Sequence, residues 1–579
     1  MKKEARLLFG SLKRLFSERS RRTWIGRTRA HIEFRELSPV ELATFKRQAE
    51  LGFKSLSRVE WVELNPHSRR IVVSFEQDAY GIEELTEVVA EAERTLGLQQ
   101  APFRDELWEH PGDSETVERL KVGLLADSLG VVMGLGLRFS PMPASRIAGT
   151  VAALVAIVQS TDRLRRVAEE RLGPLRADLT LDVSAALAHG FAQRPGSAFV
   201  EAAHKLSLLG EAEARRRVWE LREPELCQAQ ALHRLEDVAR EARPRALPRG
   251  PIEEYADRAW IVSLGGFAVS FLTTRSVQRA VAALFGGLPR PARLGREAFA
   301  ADLGRALAKR QTLVVDPEVL RKLDRIDCLV LQADLVARDR FEIRNLVVTS
   351  EADEPEARRV IQQLLDVQRP IDIKRKGEYT LAPLGVLDVA VPAELAQHTP
   401  GLGARGGLVF GLLLGSALIA AAEVDLIPQT GIDELIAAAH EAQMRVVIAS
   451  NSEAILQGIA ADDTIPEGDG FERGIRRLQR EGRTVCVVVT GASPGLAAAD
   501  CAIGLTREGE VTPWGAHIIC RDDLSDVRFL IHSCVVARQI SKQSVNIALG
   551  AATLGALVSA GGVLPLTARR VIAVVNAAS

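Results

Sequence analysis

Leu323-Asp324-Arg325-Ile326-Asp327-Cys328-Leu329-Val330-Leu331 runs directly into Gln332-Ala333-Asp334-Leu335-Val336. The apolar step from Cys328 to Leu331 has the length and residue types of a short buried strand. Thr312 to Val315, Arg445 to Ala449 and Thr484 to Val489 are runs of the same kind, and the last two each follow a helix-like stretch. Strands alternating with helices across 290–540 predict a parallel, doubly wound α/β region. Such a sheet meets its ligands at the carboxyl ends of its strands. The residues after Leu331 therefore decide what chemistry the region can do.

Upstream, residues 27–98 read as a small α/β domain. A strand-like run Ala30-His31-Ile32-Glu33-Phe34 precedes a helix over about 39–52, strands at 59–64 and 70–76, and a helix over about 81–97. Strand, helix, strand, strand, helix is the ferredoxin-like order. Residues 99–118, with Pro102, Pro111 and Gly112, read as a polar linker. Residues 1–29 are strongly basic, with Leu7, Leu8, Phe9, Leu12, Leu15 and Phe16 at helical spacing. That pattern fits an amphipathic helix on a cytoplasmic membrane face, with a frayed tail in solution as the alternative.

Eight apolar segments follow, at 122–138, 145–160, 180–193, 197–210, 259–273, 277–289, 544–562 and 563–578. Each is short against the roughly 20 residues of a spanning helix. Asp182 and His189 lie inside the third, and charge at membrane depth is costly. Their pairing as hairpins with flanks such as Arg163, Arg165, Arg166 and Arg171 is the positive-inside pattern, and it predicts a helical membrane bundle. Glu and Arg alternate from Glu211 to Arg222, which predicts a solvated, ion-paired helix.

Composition agrees with this division. Lys plus Arg number 74 against 75 Asp plus Glu, so no global charge draws the chain to nucleic acid. Six cysteines, Cys227, Cys328, Cys486, Cys501, Cys520 and Cys534, include no CxxC. Scattered this way they indicate neither a disulfide framework nor a zinc site and read as isolated thiols.

The order of parts resembles the heavy-metal, cation-transporting P-type ATPases. So do Phe285-Gly286-Gly287-Leu288-Pro289-Arg290, Arg293 to Phe299, Leu323 to Leu331, Leu478 to Val485 and Gly495 to Gly504. Within that family the chain is similar to the degenerate N-terminal half of the long actinobacterial cation-transporting members. The resemblance implies a basic segment (1–26), a ferredoxin-like heavy-metal-associated-type domain (27–98) and six membrane segments (119–289). In the last, a short insert (211–256) stands in place of the actuator domain. A degenerate phosphorylation and nucleotide-binding headpiece of haloacid-dehalogenase-like fold (290–540) and two final membrane segments (541–579) complete it. It also implies a multi-pass protein of the inner (cytoplasmic) membrane, with headpiece and N-terminal domain cytoplasmic, in contact with membrane lipid.

The family uses ATP and Mg2+, and here its motifs are altered. The phosphorylated aspartate of DKTGT corresponds to Gln332 and the following lysine to Ala333; Asp334 takes the first role only if the match slips by two residues. An amide is no nucleophile at phosphorus, and covalent phosphoryl transfer needs the carboxylate. TGD corresponds to Ala449-Ser450-Asn451, and GDGxND to Val488-Val489-Thr490-Gly491-Ala492-Ser493-Pro494, which has no acid for magnesium. Asn451, Thr490 and Gly491 are the candidate nucleotide contacts, with a plain loop as the alternative at Thr490-Gly491. The nucleotide-binding insert, 340–405, reads as reduced, with no histidine at Ser350-Glu351. The CxxC of the first domain corresponds to Leu37-Ser38-Pro39-Val40 and the membrane CPC to Leu288-Pro289-Arg290, with no soft ligand at either. Pro289 reads as a retained kink, and His189 as an interior histidine or a lone membrane ligand.

These absences point to a non-hydrolysing scaffold or regulator, partnered by an active P-type ATPase or another membrane subunit. The alternatives are an active pump with divergent motifs and a peripheral nucleotide- or ligand-sensing protein.

Overall fold

The computed structural model describes residues 21–103, 109–140, 162–191, 195–235, 242–275, 290–350, 354–365, 373–387, 391–396, 408–450, 459–507 and 511–560, with 148, 151, 155, 158 and 389 between them. The basic segment at 1–20, the segments at 277–289 and 563–578, Gly401 to Gly403, Pro289 and Asn451 lie outside these residues, as does most of 145–160.

Near the amino terminus, β1 (Thr23–Ile25), β2 (Arg29–Glu33), β3 (Val59–Asn65) and β4 (Arg70–Phe75) form an antiparallel sheet in the order β1-β2-β4-β3. Helices Pro39–Lys54 and Ile82–Thr95 pack on it. The first starts where Ser38 and Glu41 form a reciprocal capping box, which satisfies two otherwise orphaned N–H groups. Alternation along β2 sends Ala30 and Ile32 into this core with Phe34. His31 and Glu33 point to the other face and are nonetheless buried.

That burial corrects two expectations. The stretch 99–118 is no free polar linker: His110 and Asp113 are buried, and a helix already begins at Glu115. Asp113 is drawn in because it pairs, at 2.7 Å, with the fully buried Arg70. The alternating charges from Glu211 to Arg222 are solvated and ion-paired on one face only, where Arg216 meets Glu220 and Arg217 meets Glu213, and 211–256 does not begin as a separate insert. One helix runs from Pro195 to Leu226, and Arg215, Trp219, Arg222 and Glu223 within it are buried. The charges survive burial because the rest of the fold supplies partners. Arg215 donates to the carbonyls of Val314 and Val315 at 2.9 and 2.7 Å, Arg222 to Ile519 O at 2.9 Å, and Arg321 pairs with Glu211 at 2.8 Å.

Helices Glu115–Arg138, Pro174–Phe191, Pro195–Leu226 and Pro251–Thr274 form the helical region. Among the described residues one helix, Glu115–Arg138, is long and apolar enough to cross a membrane. Its Gly130 lies against helix Pro174–Phe191 so closely that a Cβ there would sit 2.7 Å from the carbonyl oxygen of Ala186. Backbone cannot yield as a side-chain tip does, so Gly130→Ala is expected to cost about 1–3 kcal/mol. The thermal midpoint of the purified chain checks this, with Gly136→Ala, which meets open space, as the control.

The carboxyl-terminal half holds two sheets. β5 (Leu313–Val314), β6 (Cys328–Gln332), β12 (Arg445–Ala449), β13 (Asp463–Ile465), β14 (Val485–Thr490), β15 (Cys501–Leu505) and β16 (Ile518–Cys520) form one, in the order β13-β12-β6-β14-β15-β16-β5. All pairings are parallel except that of the edge strand β5. Both faces are buried, which is why its strands read as continuous apolar runs. Leu329 and Leu331 enter one core, and Cys328 and Val330 the other. The second core also takes Val218, Trp219 and Leu226 from helix Pro195–Leu226.

The other sheet is inserted after β6. β7 (Ala337–Val348), β8 (Lys374–Lys376), β9 (Tyr379–Pro383), β10 (Leu408–Leu414) and β11 (Ala417–Pro428) are antiparallel, in the order β7-β11-β10-β9-β8. Helix Glu354–Leu364 packs on it through Ala357, Val360 and Ile361. The insert thus extends past 405 to Pro428, because β10 and β11 pair with strands contributed by its first part. The boundary at 540/541 is also displaced. Leu524–Ala560 is a single helix of 37 residues, about 55 Å long, whose first turns pack on the parallel sheet.

Candidate functional site at the carboxyl edge of the parallel sheet

β6 sits between β12 and β14, and register places their carboxyl ends side by side. Gln332 pairs with Ala449, and Leu331 with both Ile448 and Val488. Three stretches far apart in sequence therefore meet at one edge: Gln332-Ala333, Ala449-Ser450 and Thr490-Gly491.

Gln332 ends β6 half-buried. Its Nε2 donates to Glu467 Oε1 at 2.9 Å. A carboxylate only accepts, so this bond fixes which way the amide faces. Its Oε1 is left buried without a partner. The end of β6 thus holds a neutral amide tied to a neighbouring acid. Ala333, also buried, opens a one-turn helix, Ala333–Val336, and supplies no cation to hold phosphate charge. Asp334 follows in that turn; its side chain lies outside the described residues.

Thr490 is buried at the end of β14. Gly491 adopts φ +62°, a left-handed conformation that favours glycine, and its N–H is directed at Leu505 O, 3.5 Å away. Ser450 N donates to Ile465 O at 3.0 Å. Both N–H groups lean on neighbouring strands, which suits a loop that closes the sheet edge. Glu467 escaped sequence reasoning. The signal for it is positional: it stands between β13 and a turn whose Gly468 has φ +69°.

Other candidates lie elsewhere. His189 is in helix Pro174–Phe191, which packs on helix Glu115–Arg138, away from the sheet edge. A cleft of about 510 Å³, lined by Arg310, Glu434, Ser525, Arg528 and His532 among others, includes none of the strand-end residues. The thiols offer no substitute nucleophile. All six cysteines are buried and free, and Cys328 lies at the opposite end of β6 from Gln332. Burial pushes its thiol up to about 12, which leaves it protonated and inert at neutral pH.

No family model matches this chain. It is 29% identical over 488 residues to the probable cation-transporting ATPase I of Mycobacterium leprae, covering 74% of this chain and 29% of that protein. It is 27% identical over 576 residues to the protein of the same name from Mycobacterium tuberculosis, covering 88% of this chain and 34% of that protein. The chain therefore spans about a third of the length of the curated relatives it matches. Among solved structures, a zinc-transporting PIB-type ATPase in the E2.Pi state superposes with a TM-score of 0.46 at 13% identity, covering 79% of this chain and 98% of that one. A zinc-transporting PIB-type ATPase solved in a different state gives 0.39 at 14% identity, covering 63% and 66%. In sequence, the chain is thus similar to cation-transporting ATPases over most of its length.

Proposed function

We propose that this chain is a catalytically inactive P-type-ATPase-like unit that acts as a membrane scaffold or regulator of heavy-metal cation transport beside an active pump. One observation carries the reading: the end of β6 presents Gln332, hydrogen-bonded to Glu467, where the chemistry requires an ionised nucleophile. Ala333 beside it and the acid-free turn at Thr490-Gly491 remove the groups that would neutralise phosphate or hold magnesium.

Incubation of the purified chain with γ-labelled ATP and Mg2+, followed by acid quenching, is expected to leave no acid-stable phosphoprotein. Asp334→Asn is expected to behave identically. An adduct that vanishes in Asp334→Asn overturns the proposal in favour of an active pump with displaced motifs.

The same reading places the chain in the cytoplasmic membrane, with headpiece and N-terminal domain in the cytoplasm. Exposed Leu125, Leu129, Val132 and Leu135 on helix Glu115–Arg138 and Ile261, Val269 and Leu272 on helix Pro251–Thr274 support it. Apolar surface of that extent is suited to lipid. Polar groups inside the bundle are paired: Lys205 Nζ lies 2.8 Å from Asp127 and 3.2 Å from Asp182. Alkaline carbonate washing is expected to leave the chain in the membrane pellet. Release into the supernatant favours a peripheral ligand sensor instead.

A further inference from the structure

The face of β2 turned away from its own domain carries His31, fully buried. Opposite it stand Glu223 and Cys227, four residues apart at the end of helix Pro195–Leu226. Cys227 N still donates to Glu223 O at 2.9 Å, so helical spacing holds and both side chains share a face. His31 Nε2 is 3.0 Å from Glu223 Oε1. The imidazole nitrogen, carboxylate oxygen and Cys227 Sγ all lie within 4.8 Å of one another, and all three residues are buried. Tetrahedral zinc, with bonds of about 2.0–2.3 Å, holds its ligand atoms roughly 3.3–3.8 Å apart. The observed spread brackets that spacing, and rotamer adjustment of about 1 Å closes it.

We propose that His31 Nε2, the Glu223 carboxylate and the Cys227 thiolate form a binding site for a borderline-soft divalent ion such as zinc, stapling the N-terminal domain to helix Pro195–Leu226.

Donor type and charge both support the site. Nitrogen, oxygen and sulfur donors together suit zinc-class ions rather than calcium or magnesium. Charge closes as well: one dication, one carboxylate and one thiolate sum to zero, with the Cys227 proton released to solvent on binding. Metal at Nε2 moves the His31 proton to Nδ1, now buried without a partner, and the Trp24, His110 and Trp219 ring centroids each lie 5.2 Å from that of the imidazole. Arg29, 3.2 Å from Glu223, opposes a cation. Its guanidinium also lies over the Trp61 ring at 5.6 Å and is partly exposed, so it has another place to rest and marks the way in. His110 is not a fourth ligand. Its Nδ1 accepts from Gly112 N at 3.1 Å, which leaves the proton on Nε2. A water completes the coordination. The site belongs to the join between two parts of the fold and is independent of whether the parallel sheet turns over ATP.

The test uses the purified full chain, stripped with chelator and titrated with Co2+. The expected result is one equivalent bound, with a near-ultraviolet sulfur-to-cobalt charge-transfer band that Zn2+ displaces. Cys227→Ser is expected to lose the band, and Cys486→Ser to keep it. His31→Ala and Glu223→Gln are expected to weaken binding beyond the roughly 10–100-fold typical of residues outside the ligand set. Cobalt binding to the wild-type chain without a thiolate band overturns the proposal and requires no variant to fold. A band that persists in Cys227→Ser overturns it equally.

Discussion

Asp113→Ala is expected to destabilise the chain by about 3–5 kcal/mol, because it leaves a buried guanidinium without its counter-charge. The Arg70 side chain has no exposed surface and Asp113 is 3% exposed, so water replaces neither partner. Arg70 is rooted in β4, and Asp113 precedes helix Glu115–Arg138. The pair therefore joins the N-terminal sheet to the helical region. Loss of the acid is expected to appear as a lower midpoint in urea unfolding and as faster proteolysis between 99 and 115. The paired change Arg70→Met with Asp113→Leu separates charge from packing. It removes both charges and is expected to recover most of the loss. A double variant as unstable as Asp113→Ala would show that shape, not charge, is decisive here.

Trp219→Ala is the second large effect, at about 3–5 kcal/mol, by opening a cavity no neighbour can fill. Trp219 is fully buried, with ring centroids of His110, His31, Trp24 and Trp514 at 4.6, 5.2, 5.7 and 6.0 Å. Those rings come from the N-terminal sheet, the 110–113 stretch and the parallel-sheet region. One side chain thus holds three parts of the molecule in contact. Trp219→Phe keeps part of the volume and is expected to cost less than half as much. His110 touches Trp219 and lies within the same short stretch as Asp113, so the two alanine variants share neighbours. Combined, they are expected to cost less than the sum of the single effects. Urea midpoints of the two single variants and the double variant check this.

Local and distant determinants divide along the chain. β3, β4, β12 and β14 lie within a residue or two of where apolar runs and turn residues put them, since a strand's pattern is written in neighbouring residues. Gln332 and Ala333 at the end of β6 were legible for the same reason: they follow Leu331 in the chain, and no tertiary contact changes what they are. Glu467 was not legible, because it reaches Gln332 only through the pairing of β12 with β6 and of β13 with β12. The 99–118 stretch looked like a linker because its prolines and glycine describe local backbone preference, not what Asp113 meets.

The stretch from Glu211 to Arg222 is the clearest division. Its sequence determined a helix of alternating charge, and composition rules place such a helix in water. Only the tertiary structure decided that one face of it is buried. Arg222 finds the carbonyl of Ile519 and Arg321 finds Glu211, each across more than a hundred residues of chain. Burial of charge depends on the partner that meets it, and partners so distant in sequence exist only once the chain has folded. Residue identity, and with it the amide at the end of β6, belongs to the sequence alone; the company each charge keeps belongs to the fold.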